Sequence, residues 1–161
     1  MPFPTAIAAE NETTGAMDIV KTHMYWSMGL GLIPVPAVDF AAITTTQVLM
    51  LKKLAAYFEQ EFTEDWGKAI IASLIGGYGS TRLAYGAVGS LLKAVPLVGT
   101  LAGALSMPAM AGAATYALGK VFIMHFSSGG TMLDFDPVAA RSYYEASYKE
   151  GLEASKKTKK D

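Results

Sequence analysis

The chain has 161 residues, which is long enough for one domain with a sizeable hydrophobic core. Hydrophobic residues make up 52% of it and charged residues only 17%, against about 25% in an average soluble domain. The net charge of −1 gives no basic field for nucleic acid, and the absence of cysteine excludes disulfides, thiolate metal ligands and a cysteine nucleophile.

The N-terminal part of the chain predicts a short tail followed by a first helix. Residues 1–12 carry two prolines and small side chains, typical of a flexible tail, and no basic region precedes an apolar run as in a signal peptide. A helix is predicted over residues 13–33, capped by one of the two threonines at its start. Tyr25 and Trp26 lie near its apolar end, a placement typical of membrane interfaces and equally of a buried helix end. One face repeats at helical spacing: Met17, Val20, Met24, Ser27 and Gly31.

A second helix is predicted over residues 36–62. Pro34 and Pro36 end the first helix and begin the second, because a proline in the first helical turn loses no hydrogen bond. Since the connecting loop is short, we expect the two helices to form an antiparallel hairpin. The second helix carries a heptad-type seam with one polar member. This seam consists of Phe40, Ile43, Gln47, Met50, Leu54 and Tyr57.

A third helix is predicted over residues 64–92, with Thr63 as its N-cap. Its glycine-rich stretch IGGYGSTR lacks the spacing of a phosphate loop and follows no strand, so no nucleotide site is predicted. Arg82 lies in the middle of this helix. If the helix is buried, Arg82 must pair with an opposite charge, and Asp39 is the first candidate. If the helix instead breaks at Gly79, Arg82 reaches water.

The longest uncharged stretch, residues 94–119, dominates the second half of the chain. Lys93 and Lys120 bracket it, and at about 1.5 Å per residue it can cross a hydrocarbon layer of about 30 Å. A fourth helix is predicted over residues 97–126, with a kink at Pro108.

Small residues in the third and fourth helices predict a close helix–helix contact. Gly99 and Gly103 lie one turn apart on the same face, which lets two backbones approach. Their partner is either the same face of a second copy or the third helix, where Gly86 and Gly89 offer another smooth surface.

The remaining residues predict a fifth helix over residues 137–155 and a basic tail over residues 156–161. Asp136 is better placed as the N-cap of this helix than as a catalytic carboxylate beside Asp134. His125 is interpreted as a cation at the end of the fourth helix, and Gly129 as its left-handed cap. His23 has no second ligand at metal-binding spacing. No catalytic, cofactor-binding or metal-binding residue is therefore assigned.

Four stretches of the sequence resemble a known family. They are IPVPAVDFAAITTTQVLMLKKLAAYF, VPLVGTLAGA, ATYALGKVFIMHF and SGGTMLDFD, and they are similar to the YcjF-type, GTPase-associated membrane family of unknown function. The resemblance covers residues 18–136 and implies a helical, membrane-associated module, often joined to or encoded beside an Era-like GTPase domain. The chain contains neither GxxxxGKS/T nor NKxD, so it resembles the module without its GTPase. The family has no established catalytic residues to carry over.

Together these observations predict an all-α bundle of about five helices with a hydrophobic Gly/Ala-rich helical hairpin embedded in a membrane. Two crossings are expected, over residues 69–92 and 97–119. Most lysines and arginines then lie on one side, which the positive-inside tendency makes the cytoplasm. We therefore expect a bacterial inner or intracytoplasmic membrane with both termini in the cytoplasm.

Two functions fit this pattern. The first is a non-enzymatic membrane protein that forms a homo-oligomer, organises or shapes the lipid bilayer, and works with a GTPase supplied in trans. The second is a soluble helical-bundle interaction module that buries residues 94–119 as its central helix. No cofactor and no nucleic-acid partner is expected under either interpretation.

Overall fold

The computed structural model describes the backbone of residues 6–32, 36–82 and 101–157, and the side chains of residues 13–32, 41–77 and 107–157. Within these ranges the chain forms five α-helices and no strand, which confirms the predicted all-α class. The helices are α1 (Ala6–Leu30), α2 (Pro36–Tyr57), α3 (Glu64–Arg82), α4 (Leu101–Ser127) and α5 (Pro137–Lys157).

Helix α4 is the central element of the bundle. Helices α1 and α5 pack along it most extensively, α2 also contacts it, and α3 packs against α2 and α5. Gly31 faces Pro108 while Val20 faces Gly119, so α1 and α4 are antiparallel. Helix α2 is parallel to α4, because Gln47 bonds Thr115 near the middle of both helices and Phe58 meets Phe126 near their C-terminal ends.

These directions define the two ends of the bundle. The Leu32 end holds the C-termini of α1 and α5 and the N-terminal part of α4, since Gly112 of α4 faces Ser155 of α5. The Leu133 end holds the C-termini of α2 and α4, the first turn of α3 and the start of α5.

Both predicted apolar faces point into the core. On α1, Val20, Met24 and Ser27 are almost fully buried. On α2, Gln47, Met50 and Leu54 are buried, whereas Tyr57 at the end of the seam is 38% exposed. Burying an aliphatic side chain of this size contributes roughly 1.5–3 kcal/mol. The rest of the core comes from α3, α4 and α5, chiefly Ile70, Ile71, Leu74, Leu118, Val121, Phe122 and Tyr144.

Helix ends differ from the prediction by a few residues, most of all at the start of α1 and the end of α2; α1 also ends at Leu30 instead of residue 33, and α5 at Lys157 instead of residue 155. Helix α1 begins at Ala6 instead of residue 13, because the residues after the two prolines are good helix formers and Thr13 and Thr14 lie inside the helix. Helix α2 ends at Tyr57 instead of residue 62. Glu59 adopts a left-handed conformation with φ 56°, and Gln60 donates its N–H to the Ala55 carbonyl at 2.7 Å, which closes the helix end.

The predicted caps of the last two helices lie where expected. Gly129 is left-handed with φ 87°, and the Gly130 N–H bonds the His125 carbonyl at 2.9 Å, which ends α4. The Asp136 carboxylate accepts hydrogen bonds from the Val138 and Ala139 N–H groups at 2.9 and 3.2 Å, which makes it the N-cap of α5.

We expect glycine-to-alanine changes to have opposite effects at two positions. A Cβ on Gly151 would lie 2.9 Å from the Ala113 Cα, which is backbone and cannot move aside, so Gly151→Ala should destabilise the fold by about 1–2 kcal/mol. A Cβ on Gly76 in α3 meets nothing within 4 Å, so Gly76→Ala should stabilise it by about 1 kcal/mol. Urea unfolding followed by circular dichroism measures both, and equal effects of the same sign would contradict the close α4–α5 packing.

Candidate functional site

Glycine residues on α4 and its neighbours allow the helix backbones to pack at short distance. Gly119 lies directly under the Val20 side chain of α1, and Gly151 of α5 sits against the backbone of Ala113. Gly31, directly after α1, covers the backbone of Pro108, and a Cβ at Gly31 would lie 3.2 Å from the proline nitrogen. Because proline has no N–H, this buried nitrogen needs no hydrogen-bond partner. Small residues therefore bring α1 and α5 into close contact with α4.

A chain of buried polar groups crosses the bundle at the level of Thr115. The Gln47 amide donates to the Thr115 Oγ1 at 3.2 Å, and the Thr115 hydroxyl donates to the Ser27 Oγ at 2.8 Å. All three side chains are at most 1% exposed and come from α2, α4 and α1. Buried polar groups must find partners, so this chain of bonds fixes the register of the three helices. Gln47 is the polar member of the predicted seam, and its partner Thr115 is 68 residues away along the chain. Thr115 and Ser27 are 88 residues apart.

A second polar contact joins α4 to α5 near the surface. The Glu150 carboxylate accepts hydrogen bonds from the Tyr116 hydroxyl and the Lys120 ammonium, each at 2.7 Å. The hydrogen bond from Lys120 lowers the pKa of Glu150 below its ordinary value of 4.5, and the Tyr116 hydroxyl adds to that effect. No local pattern in the sequence links these residues, because Glu150 is 30 positions away from Lys120.

His125 holds the loop between α4 and α5. Its Nε2 lies 2.7 Å from the Thr131 carbonyl and 3.1 Å from the Asp134 carboxylate. The Thr131 N–H also donates to Asp134, and this bond is the main reason that the pKa of Asp134 lies below its usual value. His125 therefore bonds the loop that follows α4, and the interpretation of it as a cation at the helix end is incomplete.

Asp134 and Asp136 have separate structural roles and do not form a carboxylate pair. Asp134 bonds His125 and Thr131, and Asp136 caps α5. His23 is buried, with its Nδ1 2.7 Å from the Ile19 carbonyl of its own helix. Among the described residues, no group of three His, Cys, Asp or Glu side chains could hold a metal ion.

An exposed apolar surface lies at the Leu32 end. Trp26 and Leu32 are each 66% exposed, and a shallow groove on α1 runs beside Trp26, lined by Thr22, Tyr25, Gly29 and Leu30. Met107 and Met110 of α4 are about half exposed, and Met107 adjoins the Pro108 that Gly31 covers. We call this surface the apolar patch; it consists of Tyr25, Trp26, Leu32, Met107 and Met110.

The apolar patch continues a run of uncharged sequence. No Asp, Glu, Lys or Arg occurs between Lys21 and Asp39, and none occurs between Lys93 and Lys120. Among the described residues, α4 alone has the length and apolar character to cross a membrane, over Met107–Ser127. Of its most apolar window, however, 61% is buried inside the protein.

The residues predicted to form a packing interface and a buried charge pair fall largely outside the described part of the chain. Gly86, Gly89 and Gly99 lie in residues 83–100, which are outside it, and Gly103 is described only as part of the α4 backbone. The side chains of Arg82 and Asp39 are likewise outside the described residues. Their pairing and the proposed glycine contacts therefore stay predictions.

A different arginine lies against the bundle. The Arg141 guanidinium of α5 packs over Gly77 of α3, with Nη2 2.7 Å from the position of a Cβ there. Its Nε is buried without a hydrogen-bond partner among the described residues. No sequence pattern indicates this contact, because Arg141 stands in an ordinary amphipathic pattern and only the packing of α3 on α5 brings Gly77 beneath it.

Removing the central hydroxyl of the buried polar chain should destabilise the fold. Thr115→Val keeps the shape of the side chain but deprives Gln47 of its acceptor and Ser27 of its donor, which costs roughly 1–3 kcal/mol. Thr45→Val is the matched control, because the Thr45 hydroxyl is exposed and bonds the Ala41 carbonyl of its own helix. Chemical unfolding should show a change within about 0.5 kcal/mol for the control. Equal losses in both variants would contradict a special role for Thr115.

The Glu150 contact should give a pH-dependent contribution to stability. Because the folded-state pKa lies below 4.5, the contribution is complete above pH 4.5 and is lost as the pH falls through the folded-state value. At pH 7, Glu150→Gln should lower the free energy of unfolding by at most about 1 kcal/mol, since the carboxylate is partly exposed. The difference from the wild-type chain should shrink below pH 4.5. Glu145→Gln, which removes the longer pair to Lys149 at 3.8 Å, should have a smaller effect at pH 7. A constant difference at all pH values would contradict the assignment.

Comparisons with known proteins identify the family of the chain and one curated relative. The family described as a domain of unknown function (DUF697) matches residues 9–139. A protein of Magnetospirillum gryphiswaldense named magnetosome membrane protein 22 is 32% identical over 160 residues, covering 97% of this chain and 82% of that protein. Its name denotes a membrane protein and no enzyme. No solved structure matches the chain significantly. The chain therefore belongs to the DUF697 family of domains of unknown function.

Proposed function

We propose that the chain is a non-enzymatic, membrane-associated helical protein that self-associates and organises or shapes the membrane. Helix α4 carries this proposal, since it is long and apolar enough to enter a bilayer and its exposed N-terminal side chains belong to the apolar patch. The name of the magnetosome relative supports a membrane location. The membrane is a bacterial inner or intracytoplasmic one, with both termini in the cytoplasm.

The GTPase partner and the absence of catalysis belong to the same proposal. The resemblance to GTPase-associated modules, together with the missing GxxxxGKS/T and NKxD motifs, supports a GTPase that is supplied by another chain. Every polar cluster described above is engaged in holding helices or loops together. None offers a nucleophile beside a base, which supports a non-enzymatic role.

One observation favours the second candidate, a soluble interaction module with residues 94–119 as its central helix. Most of the apolar window of α4 is buried by α1, α2 and α5. The outer face of α5 is charged, with Glu145, Lys149 and Glu153 at its surface. A protein of this kind has a water-exposed flank and does not need lipid around α4.

Membrane flotation distinguishes the two candidates. We expect the full chain, expressed in bacteria, to float with membranes on a density gradient at low and at high salt, because apolar contacts are not screened by ions. A periplasmic and an integral membrane protein of the host serve as controls. Recovery of the chain in the soluble fraction at both salt concentrations would favour the interaction module.

Self-association is tested at the predicted glycine pair. Gly99→Leu with Gly103→Leu should convert the oligomer to a folded monomer, since the larger side chains keep two backbones apart. Size-exclusion chromatography with light scattering, in mild detergent, measures the mass, and circular dichroism checks the fold. Unfolding would point to a contact within the chain, and an unchanged oligomer would exclude this face.

A further inference from the structure

The two ends of the bundle differ in their surface chemistry. Among the described side chains, those exposed at the Leu32 end are the apolar patch together with Glu153, Lys156 and Lys157 in the last two turns of α5. At the Leu133 end the exposed residues are mainly acidic: Glu59, Glu61, Glu64, Asp65, Asp134 and Asp136. Exposed apolar residues occur there too: Tyr57, Trp66, Met124, Leu133 and Val138. They stand among these carboxylates, so the two ends differ in their charge and not in the amount of exposed apolar surface.

The depth of the apolar patch suits the interfacial layer of a bilayer. From Tyr25 to Leu32 the patch extends about 10 Å along α1, and apolar surfaces of interfacial proteins are buried about 5–10 Å into the headgroup and acyl boundary. Trp and Tyr are the side chains enriched at this level.

The lysines lie where anionic headgroups would meet the bundle. A Cβ on Gly112 would be 3.0 Å from the Ser155 Oγ, so the last turn of α5 stands beside the N-terminal part of α4. Lys156 and Lys157 follow Ser155 directly and are exposed, and Lys156 also pairs with the Glu153 carboxylate at 3.1 Å. Each basic residue near an anionic surface adds to binding, whereas the acidic residues of the opposite end are repelled by it.

The sides of the bundle do not suit lipid. The outer face of α5 exposes charged residues, and α2 exposes Lys52 and Lys53. Immersing these flanks would place several charges in hydrocarbon, which is costly. Contact along the length of α4 is therefore less favourable than contact at one end.

We propose that the bundle meets an anionic lipid bilayer end-on, through the apolar patch, with Lys156 and Lys157 at the headgroups. This inference rests on the proposed membrane association and adds the surface and the direction of that contact. Trp26 and Leu32 then lie in the interface, and Trp66 and Leu133 point into water.

The two tryptophans of the chain, one at each end, report the orientation. Trp66→Phe leaves Trp26 as the only tryptophan, and Trp26→Phe leaves Trp66. The full chain is mixed with phosphatidylglycerol–phosphatidylcholine vesicles whose acyl chains are brominated near the headgroup. We expect the emission of Trp26 to shift to shorter wavelength and to fall at least about twofold, as for a side chain within the interface. The emission of Trp66 should change little.

Two exposed leucines form a matched pair of variants. Leu32 is 66% exposed and Leu133 is 74% exposed, so neither supports the core. Leu32→Glu should weaken vesicle binding in a flotation assay roughly tenfold. The change removes an apolar side chain that would be buried in the lipid interface, and it adds a negative charge at the headgroups. Leu133→Glu should leave binding unchanged. Circular dichroism of both variants confirms that they are folded.

Each other outcome overturns the inference in a recognisable way. Vesicle binding without quenching of Trp26 places the contact elsewhere, and equal quenching of both tryptophans means that the bundle is immersed or lies on its side. In both cases membrane association survives and end-on contact is wrong. If the chain does not bind vesicles at all, the proposed membrane-associated function is itself wrong. A shift of Trp26 emission that rises with protein concentration in the absence of lipid means that a second copy covers the patch.

Discussion

The close approach of α1 and α5 to α4 is the constraint on which the rest of the bundle depends. Helix α4 carries many Gly and Ala residues, which bury little apolar area each, so contacts must come from backbones packed at short distance. Gly119 under Val20 and Gly151 against Ala113 provide that distance. Helices this close exclude water from the side chains of Ser27, Thr115 and Gln47. Their polar groups must then form hydrogen bonds with one another, through Thr115.

The uncharged character of α4 suits both a protein core and a bilayer. Both environments lack water, so both select an uncharged segment without free hydrogen-bonding groups. In the described structure the middle of α4 is enclosed by protein, while Met107 and Met110 are exposed at the end of the bundle where Leu32 and Trp26 are exposed too. The choice between a membrane protein and a soluble bundle therefore depends on the end of the bundle more than on the helix as a whole.

Apart from the Arg141 Nε and the Ser155 Oγ, the buried polar side-chain atoms of the described residues have hydrogen-bond partners, and this shapes the functional conclusion. The Glu150 carboxylate ties α5 to α4, His125 and Asp134 fix the loop between these helices, and Asp136 caps α5. Among the described residues, the two ends of the bundle differ in charge: exposed apolar side chains stand beside Lys156 and Lys157 at one end and among carboxylates at the other. A polarity of this kind orients a protein at an interface, in keeping with a relative named as a membrane protein.

The sequence by itself determined the helical class, the buried faces of α1 and α2, the cap at Asp136 and the helix end at Gly129. These features depend on residues within a few positions of one another, so spacing reveals them. The end of α2 could not be read from the sequence. It is set by the left-handed Glu59, and a residue type that rarely adopts this conformation gives no local signal of it. Only the tertiary structure decided the hydrogen-bond partners of Gln47 and Glu150. It also decided that Trp26, Leu32, Met107 and Met110 are exposed at the same end of the bundle. Such contacts join residues tens of positions apart, and only the directions in which α1, α4 and α5 pack bring them together.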